Sequence, residues 1–190
     1  MTLNLPVEAA ANELLSRSPF ALLLAMMLDQ QVPLEKAFSS PYQLALRLGH
    51  EPTAAELATF DPDELAAIFA ARPALHRFPK AMAARAQDLS RMVVEQYDGD
   101  AASVWTGAET GAELVARLAK LPGFGGYKAQ ITAALLGKQL DVRPTGWREA
   151  AGHFGQEGSH YSVADIVDDQ SLAAVRAHKK DMKAAAKAAG

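Results

Sequence analysis

The fold is decided by the stretch Leu118-Ala119-Lys120-Leu121-Pro122-Gly123-Phe124-Gly125-Gly126-Tyr127-Lys128-Ala129, which lies between two helical patterns. Pro122 halts the first helix, while Gly123 and Gly125 permit positive φ and Gly126 opens the second helix. Unpaired backbone amides at a helix start, reinforced by the helix dipole, bind a phosphate without any contact to a base. The stretch therefore predicts a hairpin of two helices whose loop holds a phosphate group.

Helix signals extend from this hairpin along the whole chain. Hydrophobic residues make up 49% of the 190 residues and aromatic residues only 7%, a balance that favours helices over a large sheet. Four positions combine an N-cap side chain with an acid or amide three residues later: Ser40, Thr53, Asp61 and Thr110. With the apolar spacing, these signals predict an all-α fold with helices near residues 7 to 17, 19 to 29, 34 to 48, 54 to 59, 62 to 71, 79 to 97, 111 to 120, 126 to 137, 147 to 154 and 171 to 188.

The chain length suits one domain over residues 1 to 190. Within it we expect two helical subdomains. Residues 20 to 125 form the first and carry the hairpin at its end, and residues 1 to 19 form the second together with residues 126 to 190. A ligand cleft is expected between them.

Composition excludes several classes of site. The chain has no cysteine, so disulfides, a cysteine-ligated iron-sulfur cluster and a cysteine zinc site are all excluded. The net charge of -3 argues against a protein that coats nucleic acid through overall positive charge. Basic residues gather after position 116, and the last helix has a stripe that either meets phosphate or is a solvated face: Arg176, Lys180, Lys183 and Lys187.

The hairpin resembles the LPGxGxxxA hairpin of the helix-hairpin-helix DNA glycosylase superfamily. Two further stretches support the resemblance, which covers about residues 19 to 150. Ala25 to Pro33 is similar to an early helix that ends in a glutamine-rich turn, and Ala129 to Leu136 is similar to the apolar second helix of the hairpin. The resemblance implies a base-excision repair protein that binds duplex DNA, flips a damaged base out of the stack and hydrolyses its N-glycosidic bond.

The resemblance also implies three sets of DNA and ion contacts. The hairpin residues that approach a DNA phosphate are Gly123, Gly125, Gly126 and Lys128. The backbone carbonyls that face a Na⁺ or K⁺ ion on the same phosphate are those of Ala119, Leu121 and Phe124. Gln30 and Gln31 enter the duplex and fill the space left by the flipped nucleotide, or alternatively only cap their helix.

The catalytic group is the weakest part of the resemblance. The superfamily has an aspartate about twenty residues beyond the hairpin, and here that position is Thr145, which supplies no negative charge. Asp141 is the nearest carboxylate, and it is either the catalyst or a solvated loop acid; Asp29 is the next acid to test. The Schiff-base lysine position of bifunctional glycosylases is Tyr127, and Lys128 lies about 100° further around the helix.

Two aromatic residues, Tyr127 and Trp147, either stack on an extruded base or belong to the core. Three functions remain in competition: an enzyme that excises a damaged base, a binder of DNA lesions that has lost the catalytic aspartate, and a helical protein-interaction domain. The expected partner is damaged or abasic double-stranded DNA, bound by a monomer. The apolar run Phe20 to Leu28 is too short for a bilayer, so we expect no membrane partner and a cytoplasmic location.

Overall fold

The computed structural model describes residues 3 to 188, which form eleven α-helices and two short 3₁₀ helices. The α-helices are α1 Ala9–Arg17, α2 Pro19–Leu28, α3 Leu34–Leu48, α4 Ala54–Thr59, α5 Pro62–Ala70, α6 Pro79–Tyr97, α7 Ser103–Thr106, α8 Gly111–Ala119, α9 Gly126–Gln139, α10 Trp147–Ala150 and α11 Asp169–Ala188. The 3₁₀ helices are Gly152–Gly155 and Val163–Asp165. Within this part of the chain there is no β-strand, and the sole β-type pairing is an isolated bridge between Thr110 and Thr145. The all-α prediction is confirmed.

Helix α2 forms the centre of the core. Its residues from Phe20 to Leu28 are all buried, and the helix contacts α1, α3 and α6. The Ser18 hydroxyl caps its start by accepting a hydrogen bond from the Ala21 amide at 3.3 Å. Burial of one large apolar side chain stabilises a fold by about 1.5–3 kcal/mol, so such a uniformly apolar helix is fixed in the interior. Asp29 directly follows the C-terminal end of this helix and lies at the edge of the core.

Three of the four predicted N-caps are confirmed. Thr53, Asp61 and Thr110 each accept a hydrogen bond from an amide of the following first turn, at 2.9–3.2 Å. The N-cap predicted at Ser40 is wrong, because α3 continues through Pro41. The Ser40 hydroxyl instead lies at 2.7 Å from the carbonyls of Lys36 and Leu75, so it ties α3 to a distant turn.

The carboxy-terminal third is built around α9. Helices α8 and α10 and both 3₁₀ helices pack against it. The ring of Trp147 lies on α9 so closely that a Cβ added at Gly137 would come within 2.4 Å of it. Helix α11 lies outside this group and has one buried residue, Val175, between its described ends.

The amino-terminal end of the described chain packs against the core and contacts the segment before α11. Leu3 and Leu5 are buried in the core, and the Asn4 side-chain amide donates to the Val167 carbonyl at 2.6 Å. Helix α1, however, contacts α2 and α3, so the amino-terminal segment touches both halves of the molecule. The division into two subdomains stays a prediction. None of the described helices combines the length and the apolar character that a membrane span requires.

Candidate nucleic-acid interface

The loop between α8 and α9 is held by its own apolar residues. Leu121 and Phe124 are buried, and the Phe124 amide donates to the Leu121 carbonyl at 2.9 Å. Gly123 has a φ of +84°, as predicted from the sequence. The positive φ predicted at Gly125 is wrong, because this residue has φ −99° and ψ 175° and is simply extended. The turn is completed at Gly123, and Gly125 already serves as the N-cap of α9.

The glycines of this loop differ in their surroundings. A Cβ at Gly123 would lie 2.8 Å from both Met27 Cγ and Arg85 Cδ, so this glycine lets the loop pack on α2 and α6. At Gly125 and Gly126 no atom lies within 4 Å of the added Cβ. The packing of the described chain therefore requires glycine at position 123 and leaves the surface open at positions 125 and 126.

The start of α9 exposes unpaired amides. No side chain caps the helix at Gly125, and its first backbone hydrogen bond runs from the Ala129 amide to the Gly125 carbonyl at 2.9 Å. The three preceding amides, of Gly126, Tyr127 and Lys128, have no acceptor among residues 3 to 188. Such amides and the positive end of the helix dipole favour an anion. This end of α9 is suited to a phosphate.

The carbonyls predicted to hold a monovalent cation lie in the same turn. The Leu121 carbonyl accepts the Phe124 amide, which leaves it one further lone pair. A cation held by this oxygen and the carbonyls of Ala119 and Phe124 stays a prediction. In the part of the chain that the structure describes, no three histidine or acidic side chains are grouped to hold a metal ion.

The glutamine turn after α2 lies beside the loop, and its two glutamines differ. The Gln30 side chain donates to the Met27 carbonyl at 2.7 Å and accepts from Arg85 at 3.1 Å, so it caps α2. Buried His76 donates from Nε2 to the Gln30 carbonyl at 2.9 Å, and burial lowers the pKa of its imidazole. Gln31 has a φ of +55° and is exposed. Of the two, Gln31 is the exposed one, and its contact with DNA stays a prediction.

An open cleft of about 360 Å³ begins at the first turn of α9. Five ring side chains from α9, the 3₁₀ helices and their neighbours, and α11 line it: Tyr127, His153, Phe154, Tyr161 and His178. Their rings pack mostly edge to face, with centroids 4.9 Å apart for Tyr127 and Phe154 and 4.7 Å apart for Tyr161 and His178. The volume falls in the range of small-molecule sites, about 300–1,000 Å³. The cleft is suited to a flat, partly apolar ligand.

Two charged groups lie between the end of α2 and the first turn of α9. Lys128 donates from Nζ to the Met27 carbonyl at 3.1 Å, and burial lowers its pKa to about 8 although Asp29 nearby opposes the shift. Asp29 lines the cleft, and burial raises the pKa of its carboxyl while Lys179 and Lys128 oppose this. Lys128 therefore points its charge at the end of α2 and at Asp29 rather than straight into solvent.

The other predicted site residues lie elsewhere. Asp141 follows the far end of α9, about 20 Å along the helix from its first residue at 1.5 Å per residue. Its side chain is 63% exposed and pairs with Arg143 at 3.1 Å. The exposed Thr145 is held near the start of α8, where its carbonyl accepts the Gly111 amide at 2.8 Å. Trp147 is 7% exposed and packs in the core, so its ring does not line the cleft.

Most of the cleft residues could not be predicted from the sequence. His153, Phe154, Tyr161 and His178 have no shared spacing, and they come together because both 3₁₀ helices pack on α9 and α11 packs on the second of them. Tyr127 is the one predicted base-pocket residue that the structure puts in the cleft, with 66% of its surface exposed. Lys179, one residue from the predicted basic stripe, also lines it.

Comparison of the chain with models of protein families, with curated proteins and with solved structures gave no match.

Proposed function

We propose that this protein binds double-stranded DNA through the loop between α8 and α9 and excises a damaged base that is turned out into the adjacent cleft. One observation carries the proposal. The uncapped amides of α9 lie at the edge of the ring-lined cleft, and Tyr127 belongs to both. A phosphate on the amides of the first turn would therefore hold its nucleotide next to a space of about 360 Å³.

The glycine surroundings support DNA as the ligand. A phosphodiester backbone needs a smooth protein surface, and the chain leaves Gly125 and Gly126 open although neither has a positive φ. The exposed Gln31, on the neighbouring turn, is free to enter a duplex from which a nucleotide has been flipped. The resemblance of the hairpin to that of the helix-hairpin-helix DNA glycosylases agrees with both points.

A second candidate is a protein that binds DNA lesions without cleaving them. The residue at the position of the superfamily's aspartate, Thr145, carries no charge and is held at the start of α8. Both candidates use the same loop and the same cleft, and they differ in whether a base is released.

A negative charge in the first turn of α9 tests the loop, because it stabilises the helix and repels a phosphate. Gly126→Asp places a carboxylate in the first turn of α9, where the helix dipole favours it by about 0.3–1 kcal/mol. We expect the variant to melt no lower than the wild type and to bind duplex DNA at least about tenfold more weakly, a loss of about 1.4 kcal/mol. Fluorescence anisotropy with a duplex that contains a tetrahydrofuran abasic site measures the affinity.

The matched control is Ala55→Asp, which adds the same charge to the first turn of α4 at another exposed position. We expect this variant to bind within about twofold of the wild type, because the overall charge matters less than the loop. Equal affinity of both variants would show that DNA does not use the loop. Release of a base from duplexes with alkylated, deaminated or oxidised bases by the wild type would separate excision from binding alone.

A further inference from the structure

We propose that Asp29 is the catalytic carboxylate of the cleft, where it faces the deoxyribose of the flipped nucleotide and activates the water that replaces the base. This inference rests on the proposed function. Asp29 supplies the negative charge that Thr145 lacks. Asp141 also has a carboxylate, but it lies too far from the loop.

Position is the first argument. Among the described residues that line the cleft, Asp29 is the single carboxylate. It directly follows α2, and the Met27 carbonyl of the last turn of α2 accepts a hydrogen bond from Lys128 on the first turn of α9. Asp29 is thereby held beside the turn whose free amides would bind the phosphate. A sugar lies between its phosphate and its base, so it would occupy the space that Asp29 faces.

The surroundings of Asp29 are the second argument. Its backbone amide donates to the Ala25 carbonyl at 3.0 Å and so ends α2, but its carboxylate has no hydrogen-bond donor within residues 3 to 188. The Asp29 side chain is half-buried, and a carboxylate that serves only the fold is normally paired or hydrogen-bonded in such a position. Burial raises the pKa of Asp29, which makes the carboxylate a better proton acceptor. The Asp29 carboxylate is therefore suited to accept a proton from water.

The chemical step balances with water as the only co-reactant. The bond from C1′ to the base nitrogen breaks, and its electron pair leaves with the base, which takes a proton from solvent. The sugar becomes positively charged as this bond opens, and the Asp29 carboxylate stabilises that charge. Water forms the new bond from oxygen to C1′, Asp29 accepts its proton and then returns that proton to solvent.

The test uses two abasic duplexes and does not require the damaged base to be known. One contains a pyrrolidine abasic nucleotide, which is cationic at neutral pH, and the other contains the neutral tetrahydrofuran analogue. We expect the wild type to bind the cationic duplex at least about tenfold more tightly, as electrostatic stabilisation of a sugar cation requires. Asp29→Asn should lose this preference and bind the neutral duplex within about threefold of the wild type.

The matched control is Asp141→Asn, which removes an exposed acid from the far end of α9 and should keep the preference. Asp29→Asn should melt no lower than the wild type at neutral pH, because burial of the charged carboxyl is unfavourable. On any base that the wild type releases, the single-turnover rate of Asp29→Asn should fall about a hundredfold or more.

The outcomes separate the two proposals. The role of Asp29 would be overturned if the wild type bound both duplexes equally, or if Asp29→Asn kept the preference for the cationic duplex. Either result would leave DNA binding by the loop in place. Failure to bind either duplex would overturn the proposed function and the role of Asp29 together.

Discussion

The two ends of α9 use glycine for opposite purposes. At the C-terminal end, a Cβ at Gly137 would lie 2.4 Å from the ring of Trp147. At the N-terminal end, a Cβ at Gly126 would meet no atom within 4 Å. Glycine at position 137 therefore serves the packing of the protein itself, whereas glycine at position 126 serves nothing inside it. The difference is in line with the proposed binding of a ligand at the N-terminal end.

Two lysines of the same helix show a similar difference. Lys138 lies 2.5 Å from Asp165, whose side chain also accepts a hydrogen bond from the Tyr161 amide at 2.8 Å. Lys128 instead donates to the backbone carbonyl of Met27 and lies near Asp29. One end of α9 is held by a buried ion pair, and the other by a hydrogen bond to the end of α2.

The largest effect is expected at the buried ion pair. Lys138→Met leaves Asp165 buried without its cation, and breaking a buried pair costs about 3–5 kcal/mol. Urea denaturation should show a loss near the lower value, because Asp165 keeps its other hydrogen bonds. Lys180→Met on the exposed side of α11 is the control, with a change of about 0.5 kcal/mol or less. Similar losses in the two variants would mean that Asp165 does not depend on Lys138.

A smaller effect is expected for the glycines. Gly137→Ala forces a methyl group against the buried Trp147 ring, and overpacking of this kind costs about 1–3 kcal/mol. Gly126→Ala should leave stability unchanged or raise it slightly, because alanine is the better helix former. Denaturation followed by tryptophan fluorescence measures both variants. The comparison of the two helix ends fails if Gly126→Ala is the more damaging substitution.

The last effect is a dependence of stability on pH, and it appears only in alkaline solution. The folded state lowers the pKa of Lys128 to about 8 from 10.5, so above pH 8 the unfolded state binds more protons. Wild-type stability should therefore rise relative to Lys128→Met between about pH 8 and 10, by roughly 2 kcal/mol at about 1.4 kcal/mol per pKa unit. Below about pH 7, where Lys128 is protonated in both states, the difference between the two proteins should be constant. A constant difference across the whole range would show that Lys128 is not buried in the folded state.

Sequence reasoning succeeded where a structure is encoded by neighbouring residues. Pro122 and Gly123 end one helix and turn the chain, and the caps at Thr53, Asp61 and Thr110 each act within three residues. It failed at Ser40, because the contact with the Leu75 carbonyl that replaces capping comes from a residue 35 positions away. Local signals therefore predicted the turn between α8 and α9 and the all-α class.

The cleft could not be predicted in the same way. His153 and His178 are 25 positions apart and meet Tyr161 only after the chain folds back on α9. Counting forward from the hairpin reaches Asp141, but each residue of a helix adds about 1.5 Å, so Asp141 lies away from the loop and does not line the cleft. Asp29, almost one hundred positions before the hairpin, comes close to it through the contact of Lys128 with α2.

The two helices that line the cleft, α9 and α11, differ in how firmly they pack against the rest of the protein. Helix α9 buries most of its residues, whereas α11 buries Val175 and is held further by Leu172, the His178 ring and a contact from Arg176 to Glu35. Local opening requires less free energy where fewer apolar contacts are lost, so amides of α11 should exchange with deuterium well before those of α9. In the proposed function, displacement of α11 would widen the cleft for a bulkier base while the rest of the fold stays closed.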